Sequence, residues 1–306
     1  MNSKVIETKL ETLPLVSILM NCFNGEKHLR EAIDSVIAQA YTNWELIFWD
    51  NQSTDSSASI VKSYRDPRIS YYYAPTHTLL YEARNYAFEK TSGELIAFLD
   101  VDDSWAKEKL QRQVPVFLDP KVGISASNHW IDQQLKGKRF LAHKKSMPSG
   151  MVLDVLLRYY YVGLLTLIVR RSALPHDNPP FNPLFHIIGD FDLVTRIAAI
   201  WDLAYVHEPL GAYRVHDGNG SIKERELLVG ELECWVNEQA KNGLIPNACR
   251  HGSLEVYLSY SKASQAMLCS NRAEAFSYTK RMPWCYLKVK LLCGLMLPIK
   301  LVEKIF

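Results

Sequence analysis

Along the first part of the chain, short apolar runs alternate with stretches whose apolar side chains recur at helical spacing. LVSILMNCF is apolar from Leu15 to Met20 apart from Ser17 and reads as a buried strand. GEKHLREAIDSVIAQ then sets Leu29, Ala32, Ile33, Val36 and Ile37 on one face, which predicts an amphipathic helix. WELIFWD, from Trp44 to Asp50, predicts a second strand. DNQSTDSSASIVKSY predicts a polar turn, capped near Ser53 to Asp55, and a second helix. RISYYYA is the third strand and LYEARNYAFEKT the third helix, with Gly93 expected as its C′ residue. ELIAFLD is the fourth strand, and SWAKEKLQRQVPVF a helix that Pro115 ends or kinks.

Strands alternating with helices at this spacing imply βαβ units and a mainly parallel sheet, in which ligands bind beyond the carboxyl ends of the strands. Asn21 to Asn24, Asp50 to Asp55 and Asp100 to Asp103 all fall at predicted strand C-termini. Three polar clusters on one edge of one sheet make a site. From about residue 125 to 220 the pattern loosens, with Pro, His and Gly in HDNPPFNPLFHIIGDFDL and AYRVHDGNGS. This part is expected to be the acceptor-facing half of the same domain. Beyond Ser221 the apolar spacing is helical. The expected division is a lead over 1–13, a catalytic domain over 14–220 and a helical extension over 221–306.

Composition adds mainly exclusions. With 48% hydrophobic and 22% charged residues, the 306-residue chain can bury a sizeable core. A net charge of +2 gives no global electrostatic reason to expect a nucleic-acid partner. Cys22, Cys234, Cys249, Cys269, Cys285 and Cys293 are scattered and form no Cys-x-x-Cys pair, as expected of reduced thiols. The polar MNSKVIETKLETLP lacks the apolar core of a signal peptide, and no run is long and apolar enough for a spanning helix. No Gly-x-Gly-x-x-Gly follows the first strand, which disfavours a dinucleotide-dependent dehydrogenase.

Four stretches occur in a telling order: VSILMNCFNGEKHLREAIDSVIAQAYTNWELIFWDNQSTD, EARNYAFEKTSGELIAFLDVDD, IIGDFDL and EPLGAYRVH. Together they resemble glycosyltransferase family 2, the inverting GT-A enzymes, over residues 14 to 220. The resemblance implies an α/β GT-A (nucleotide-diphospho-sugar transferase) fold: a mainly parallel central sheet flanked by helices, here with a helical C-terminal extension.

A nucleoside-diphosphate leaving group concentrates negative charge and needs a cation during bond cleavage. Hard oxygen ligands suit Mg²⁺ or Mn²⁺. An isolated Asp-x-Asp is more often a helix cap. Here, Asp100 and Asp102 straddle Val101 after a strand, so both can face one side of an extended segment. The resemblance implies that the cluster is the family's Asp-x-Asp motif. Asp100 is then expected on the nucleotide, and Asp102 and Asp103 on the metal, with His216 from YRVH beside them.

By the same resemblance Asp50 and Asn51 read the nucleobase, with Asn21 and Phe23 beneath it and Arg84 near the diphosphate. The commoner family pattern has two successive acids where this chain has Asp50 and Asn51. An amide donates as well as accepts, so uracil is expected but thymine and guanine stay open. Inverting transfer is one in-line displacement, in which a carboxylate accepts the hydroxyl proton. Asp190 matches the family's aspartate for that role, while Gly189 stands where Glu is common. Asp192 is expected to be structural or an acceptor contact.

The last stretch, WCYLKVKLLCGLMLPIKLVEKIF, is apolar but carries Lys288, Lys290, Lys300 and Lys304, as expected of a basic surface that meets a membrane interface. The resulting expectation is a cytoplasmic enzyme, peripheral on the inner face of the membrane. It would transfer a hexose or N-acetylhexosamine from a nucleotide donor, UDP-linked by expectation, to a bacterial surface glycan or lipid-linked saccharide. Two rivals remain: transfer to polyprenyl phosphate, already an anion, and a non-catalytic nucleotide-sugar-binding protein.

Overall fold

The computed structural model of the chain describes residues 14–175, 179–216, 225–241 and 253–298. The expected lead, Cys249, Lys300 and Lys304 lie outside the described residues. The chain divides into two units. One runs to Leu153 and resumes over Tyr161–Asn219, and the other holds Asp154–Tyr160 and the chain from Gly220.

The first unit is built on β1 (Val16–Cys22), which is buried along its whole length. A strand buried on both sides needs cover on both faces, hence its near-continuous apolar run. On one face Leu29, Ala32, Ile33 and Val36 of α1 (Glu26–Ile37) join a core with Ile18, Met20, Leu46 and Phe48. Burying each such side chain stabilises the fold by about 1.5–3 kcal/mol.

β2 (Trp44–Asp50) and β4 (Leu95–Phe98) flank β1 in parallel, and β3 (Ile69–Tyr73) adds in parallel to β2. The register pairs Cys22 with Asp50 and Leu19 with Phe98. The chain therefore leaves β1, β2 and β4 at one edge, which brings the three polar clusters together. α2 (Ser57–Ser63) and α3 (Leu80–Phe88) are the crossovers. Gly93 is not the C′ residue of α3, which is capped at Glu89. Gly93 is instead required by a close approach: its N–H donates to Ser17 Oγ at 2.7 Å, and a Cβ would lie 2.5 Å from Leu15 O.

Beyond β4 the sheet turns mixed. Its nine strands include β5 (Ser104–Trp105), β6 (Val122–Gln133), β7 (Lys138–Leu141), β8 (Ile168–Arg170) and β9 (Asp202–Val215). Their order is β3-β2-β1-β4-β8-β6-β9-β5, with β7 on β6. β8 runs antiparallel to β4 and β6, while β6 and β9 are parallel. The expected helix in SWAKEKLQRQVPVF is broken up. Ser104 and Trp105 pair with β9, only Lys109–Gln113 forms a helix (α4), and a 3₁₀ turn with Pro115 near its start follows. Lys109 is fully buried, and its ammonium donates to Gln113 and Thr166 O.

α5 (Leu153–Arg158) and α6 (Gly189–Ala198) follow in chain order, α6 in the first unit. The second unit continues with α7 (Arg225–Lys241), α8 (Ser253–Leu268), α9 (Arg272–Arg281) and α10 (Tyr286–Met296). Ala263, Met267, Ala275, Met282 and Leu291 form its core, and Asn271 caps α9 by accepting from Glu274 N–H. Two basic side chains close helix ends, Lys288 of the expected basic surface among them. Arg272 donates to Leu295 O and Leu297 O, and Lys288 to Lys280 O and Met282 O. Cations favour helix C-termini because the last carbonyls lack partners and the dipole is negative there. No helix among the described residues is long and apolar enough to cross a membrane.

Candidate active site

The β2 end is a closed turn. Asp50 is 0% exposed, its Oδ1 accepting Ser53 N–H and its Oδ2 the Tyr71 hydroxyl, each at 2.7 Å. Burial first, and this carboxylate second, push the Tyr71 phenol well up. Asn51 stitches the turn to the loop after β3. Its Nδ2 donates to Thr78 O at 2.8 Å, and its Oδ1 accepts from Thr78 N–H at 3.2 Å. Gln52, in the left-handed region at φ 69°, donates to Ala74 O and Pro75 O. His77 Nδ1 lies 2.8 Å from Asn51 O, and the His77 ring sits 4.4 Å from that of the exposed Phe23. Asn21 is buried at the end of β1, and neither its Nδ2 nor its Oδ1 has a hydrogen-bond partner among the described residues.

The acidic cluster is not the extended segment expected of it. Asp103 N–H donates to Asp100 O at 3.1 Å, so residues 100–103 form a turn. Asp103 points inward and accepts from Arg214 N–H at 2.9 Å. Burial, then Asp102 and Asp100, hold its carboxyl well above the usual range. Asp100 and Asp102 stay half-buried: Asp100 Oδ1 meets Arg84 Nη2 at 2.6 Å and Asp102 Oδ2 lies 3.0 Å from His216 Nε2. Burial and the Asp100 charge push the Asp102 carboxyl up. Arg214 binds Asp102 O and Glu31, which ties the turn to β9 and α1. The His28 ring is 5.8 Å from that of His216, and its Nε2 is buried without a partner among the described residues.

Asp190 lies in the first turn of α6, where the positive end of the helix dipole favours a carboxylate. The Tyr81 hydroxyl proton is shared between Ile187 O at 3.1 Å and Asp190 Oδ1 at 3.3 Å, and the hydroxyl accepts from Asp190 N–H at 3.3 Å; the Arg84 guanidinium sits 5.0 Å from the Tyr81 ring. A continuous path therefore runs from Asp190 through Tyr81 and Arg84 to Asp100. Burial lifts the Asp190 carboxyl above its ordinary value, against the hydrogen bonds and the Arg84 charge. Gly189 has a local reason: a Cβ there would meet the Tyr81 ring at 2.6 Å, so the Glu that the resemblance leads one to expect has no room. Asp192 is paired with Arg196, four residues on, a structural role.

Sequence reasoning missed Tyr81, His77 and His28. Tyr81 was within reach, since it lies three residues before Arg84 on the same helix and so shares its face. His77 and His28 carried no signal, because their partners are distant in sequence.

Among the described residues no group of three or more His, Cys, Asp or Glu side chains is arranged to hold a metal ion. What is present is a carboxylate and imidazole pair, Asp102 and His216, beside a second carboxylate, Asp100. Hard oxygen and imidazole donors of this kind fit Mn²⁺ or Mg²⁺ when a bound diphosphate completes the shell.

The sequence model described as "Glycosyl transferase family 2" matches residues 17–170, just over half of the chain. One similar protein is UDP-Glc:alpha-D-GlcNAc-diphosphoundecaprenol beta-1,3-glucosyltransferase WfgD of Escherichia coli. It is 34% identical over 169 residues, which are 55% of this chain and 64% of that one. The chain spans less than two thirds of the length of the first curated relatives it matches. Among solved structures, mannosyltransferase PcManGT from Pyrobaculum calidifontis in complex with GDP-Man and Mn2+ is similar at a TM-score of 0.62 and 17% identity, covering 96% of this chain and 83% of that one. S. aureus TarS 1-349 in complex with UDP-GlcNAc is similar at 0.55 and 16%, covering 91% and 92%. At such identities the likeness is one of fold: a GT-A-like α/β architecture with a mixed, curled sheet.

Proposed function

Since the chain belongs to glycosyl transferase family 2, we propose that it is an inverting glycosyltransferase. It moves a sugar from a nucleoside diphosphate, a UDP-hexose or UDP-N-acetylhexosamine, to a hydroxyl of a surface glycan or lipid-linked saccharide. The names of WfgD and of the TarS complex support a UDP-sugar donor, and that of WfgD a lipid-linked acceptor. The observation that carries the reading is the path Asp190–Tyr81–Arg84–Asp100, which puts a carboxylate fit to accept a proton beside cationic and acidic groups fit to hold a diphosphate.

In this reading Asp190 takes the acceptor hydroxyl's proton at Oδ1 or Oδ2 as the new bond forms. The Tyr81 hydroxyl holds that carboxylate in place, and Arg84 carries the positive charge nearest the leaving diphosphate. Asp102 and His216, with Asp100 beside them, would hold Mn²⁺ or Mg²⁺. When bound, such an ion neutralises the diphosphate charge. Asp103 serves the site indirectly, by fixing the turn through Arg214 N–H.

Replacing Asp190 by Ala tests the mechanism. kcat is expected to fall about 10²- to 10⁴-fold with nucleotide affinity retained. Near-normal turnover would point to an acceptor that is already an anion, such as a polyprenyl phosphate. Failure of every nucleotide sugar to raise the melting temperature in Mn²⁺ would sink the reading outright.

We also propose the division at about residue 220, with 221–306 bringing the catalytic part, 14–220, to the inner face of the membrane. Exposed Trp284 supports this, as do Val289, Cys293 and Met296 on one stripe of α10, with Lys280 and Arg281 near by. Equal sedimentation with anionic and neutral vesicles would rule out an electrostatic contribution.

A further inference from the structure

A nucleobase is told from its isosteres by groups that can only donate or only accept. The turn after β2 leaves few of these. Asp50 is fully buried with each oxygen bonded internally. Asn51 Oδ1 faces the Thr78 N–H at 3.2 Å and the Thr78 hydroxyl at 3.5 Å, which uses its acceptor capacity. Asn21 has an unused amide, but an amide both donates and accepts and can flip to suit either edge pattern. Asn21, with both amide atoms buried, would not choose among pyrimidines.

His77 differs. Its Nδ1 lies 2.8 Å from Asn51 O, a carbonyl that can only accept, so Nδ1 carries the proton. The neutral ring then has a bare lone pair at Nε2, fixed by a backbone contact rather than by solvent. The ring is exposed and packs at 4.4 Å against Phe23, tilted 57° to it, so at the strand ends Phe23 can offer a face while His77 offers an edge. The Asn51 amide bonds both the N–H and the C=O of Thr78, which fixes the loop that carries His77.

We propose that His77 is the specificity-determining residue for the base, its Nε2 accepting the imino N–H of uracil edge-on while the base rests on the Phe23 ring. Cytosine presents a lone pair at the same ring position, so two acceptors would face each other. The choice falls on bases with an imino N–H, and the Asn in place of the family's second acid is what positions the replacement acceptor. This inference rests on the nucleotide-sugar reading above.

The test is calorimetric titration of the full chain in Mn²⁺ with UDP and with CDP. The wild-type protein is expected to prefer UDP about tenfold, the effect of one hydrogen bond made or opposed. His77→Phe keeps an aromatic ring beside Phe23 and removes the acceptor, so UDP affinity should fall and CDP affinity rise until the two are about equal. His77→Gln, whose Oε1 restores an acceptor, should recover part of the preference. Imidazole ¹⁵N spectra should show Nε2 shifting with UDP and not with CDP. A wild-type protein that binds the two equally overturns the proposal. So does a His77→Phe protein that keeps the wild-type ratio, which would place the choice elsewhere than at His77. A wild-type protein that binds neither overturns the nucleotide reading itself.

Discussion

Two acidic turns stand at neighbouring strand ends, and they treat their charges in opposite ways. At the end of β2 the carboxylate of Asp50 is wholly enclosed, accepting Ser53 N–H and the Tyr71 hydroxyl, so the protein supplies everything that charge needs. At the end of β4, Asp100 and Asp102 repel each other, pair with Arg84 and His216 respectively, and stay half-open to solvent. An aspartate at a strand end is therefore not a site by position alone. What separates the two turns is whether the protein has already filled the lone pairs. The first turn is a fixture that shapes a loop. The second keeps its paired carboxylates half-exposed, where a ligand can reach them.

The sharpest way to break this comparison is to remove one carboxylate from each turn. Asp102→Asn is expected to lower kcat about 10²- to 10³-fold and to abolish the Mn²⁺-induced rise in melting temperature. The unliganded protein should melt at an unchanged or higher temperature, since the substitution relieves repulsion with Asp100. Asp50→Ala should do the reverse. Two buried donors lose a charged acceptor, at a cost of about 3–5 kcal/mol, which lowers Tm by roughly 10 °C in differential scanning calorimetry. A stable Asp50→Ala protein that has lost only nucleotide affinity would show that the two turns share one role.

The contrast also marks where the sequence stops being legible. Apolar runs and helical spacing located β1 to β4, α1 and α3, because parallel strands and their crossovers must be covered on both faces. The same pattern missed β6 and β9. β6 buries Ser125 and Asn128, whose polarity is satisfied by Gln113 and by His143, partners 12 and 15 positions away that no local window contains. The strand-end rule brought Asn21, Asp50, Asp100 and Asp102 to one edge of the sheet. It could not tell that Asp103 turns inward to Arg214, or that Asn51 has its acceptor filled by Thr78. Those facts depend on contacts between residues 27 and 111 positions apart.

Gly189 illustrates the same limit at smaller scale. From the sequence it was a missing acid, and in the structure it is the floor under the Tyr81 ring. Gly189→Ala would place a Cβ 2.6 Å from that ring and must displace it. A loss of about 1–3 kcal/mol is expected from such overpacking, read as a lower Tm. kcat should fall with it, because the ring that moves carries the hydroxyl bonded to Asp190. Tyr81→Leu combined with Gly189→Ala should recover stability without recovering kcat. Recovery of both would make the Tyr81 hydroxyl irrelevant to the site.

Tyr81→Phe isolates that hydroxyl with the least disturbance, since the ring stays on Gly189. Asp190 works as a base only when ionised, so kcat/KM falls as pH drops through its folded-state pKa. Burial sets that limb above the ordinary carboxylate value of 3.8, while the Tyr81 O–H, by favouring the charged form, holds it down. Removing the hydroxyl should therefore move the acid limb to higher pH, with kcat on the plateau changed less than about tenfold. The stability effect has its own sign. A carboxyl raised in the folded state binds a proton more tightly there than in the unfolded chain. Its contribution to stability is therefore greatest at low pH and declines as pH rises through the folded-state value. Losing the hydroxyl widens that decline, so the Tyr81→Phe protein should lose more stability between acid and neutral pH than the wild type. A limb that stays in place, or moves to lower pH, would mean that the Tyr81 contact does not act on the carboxylate that takes the proton.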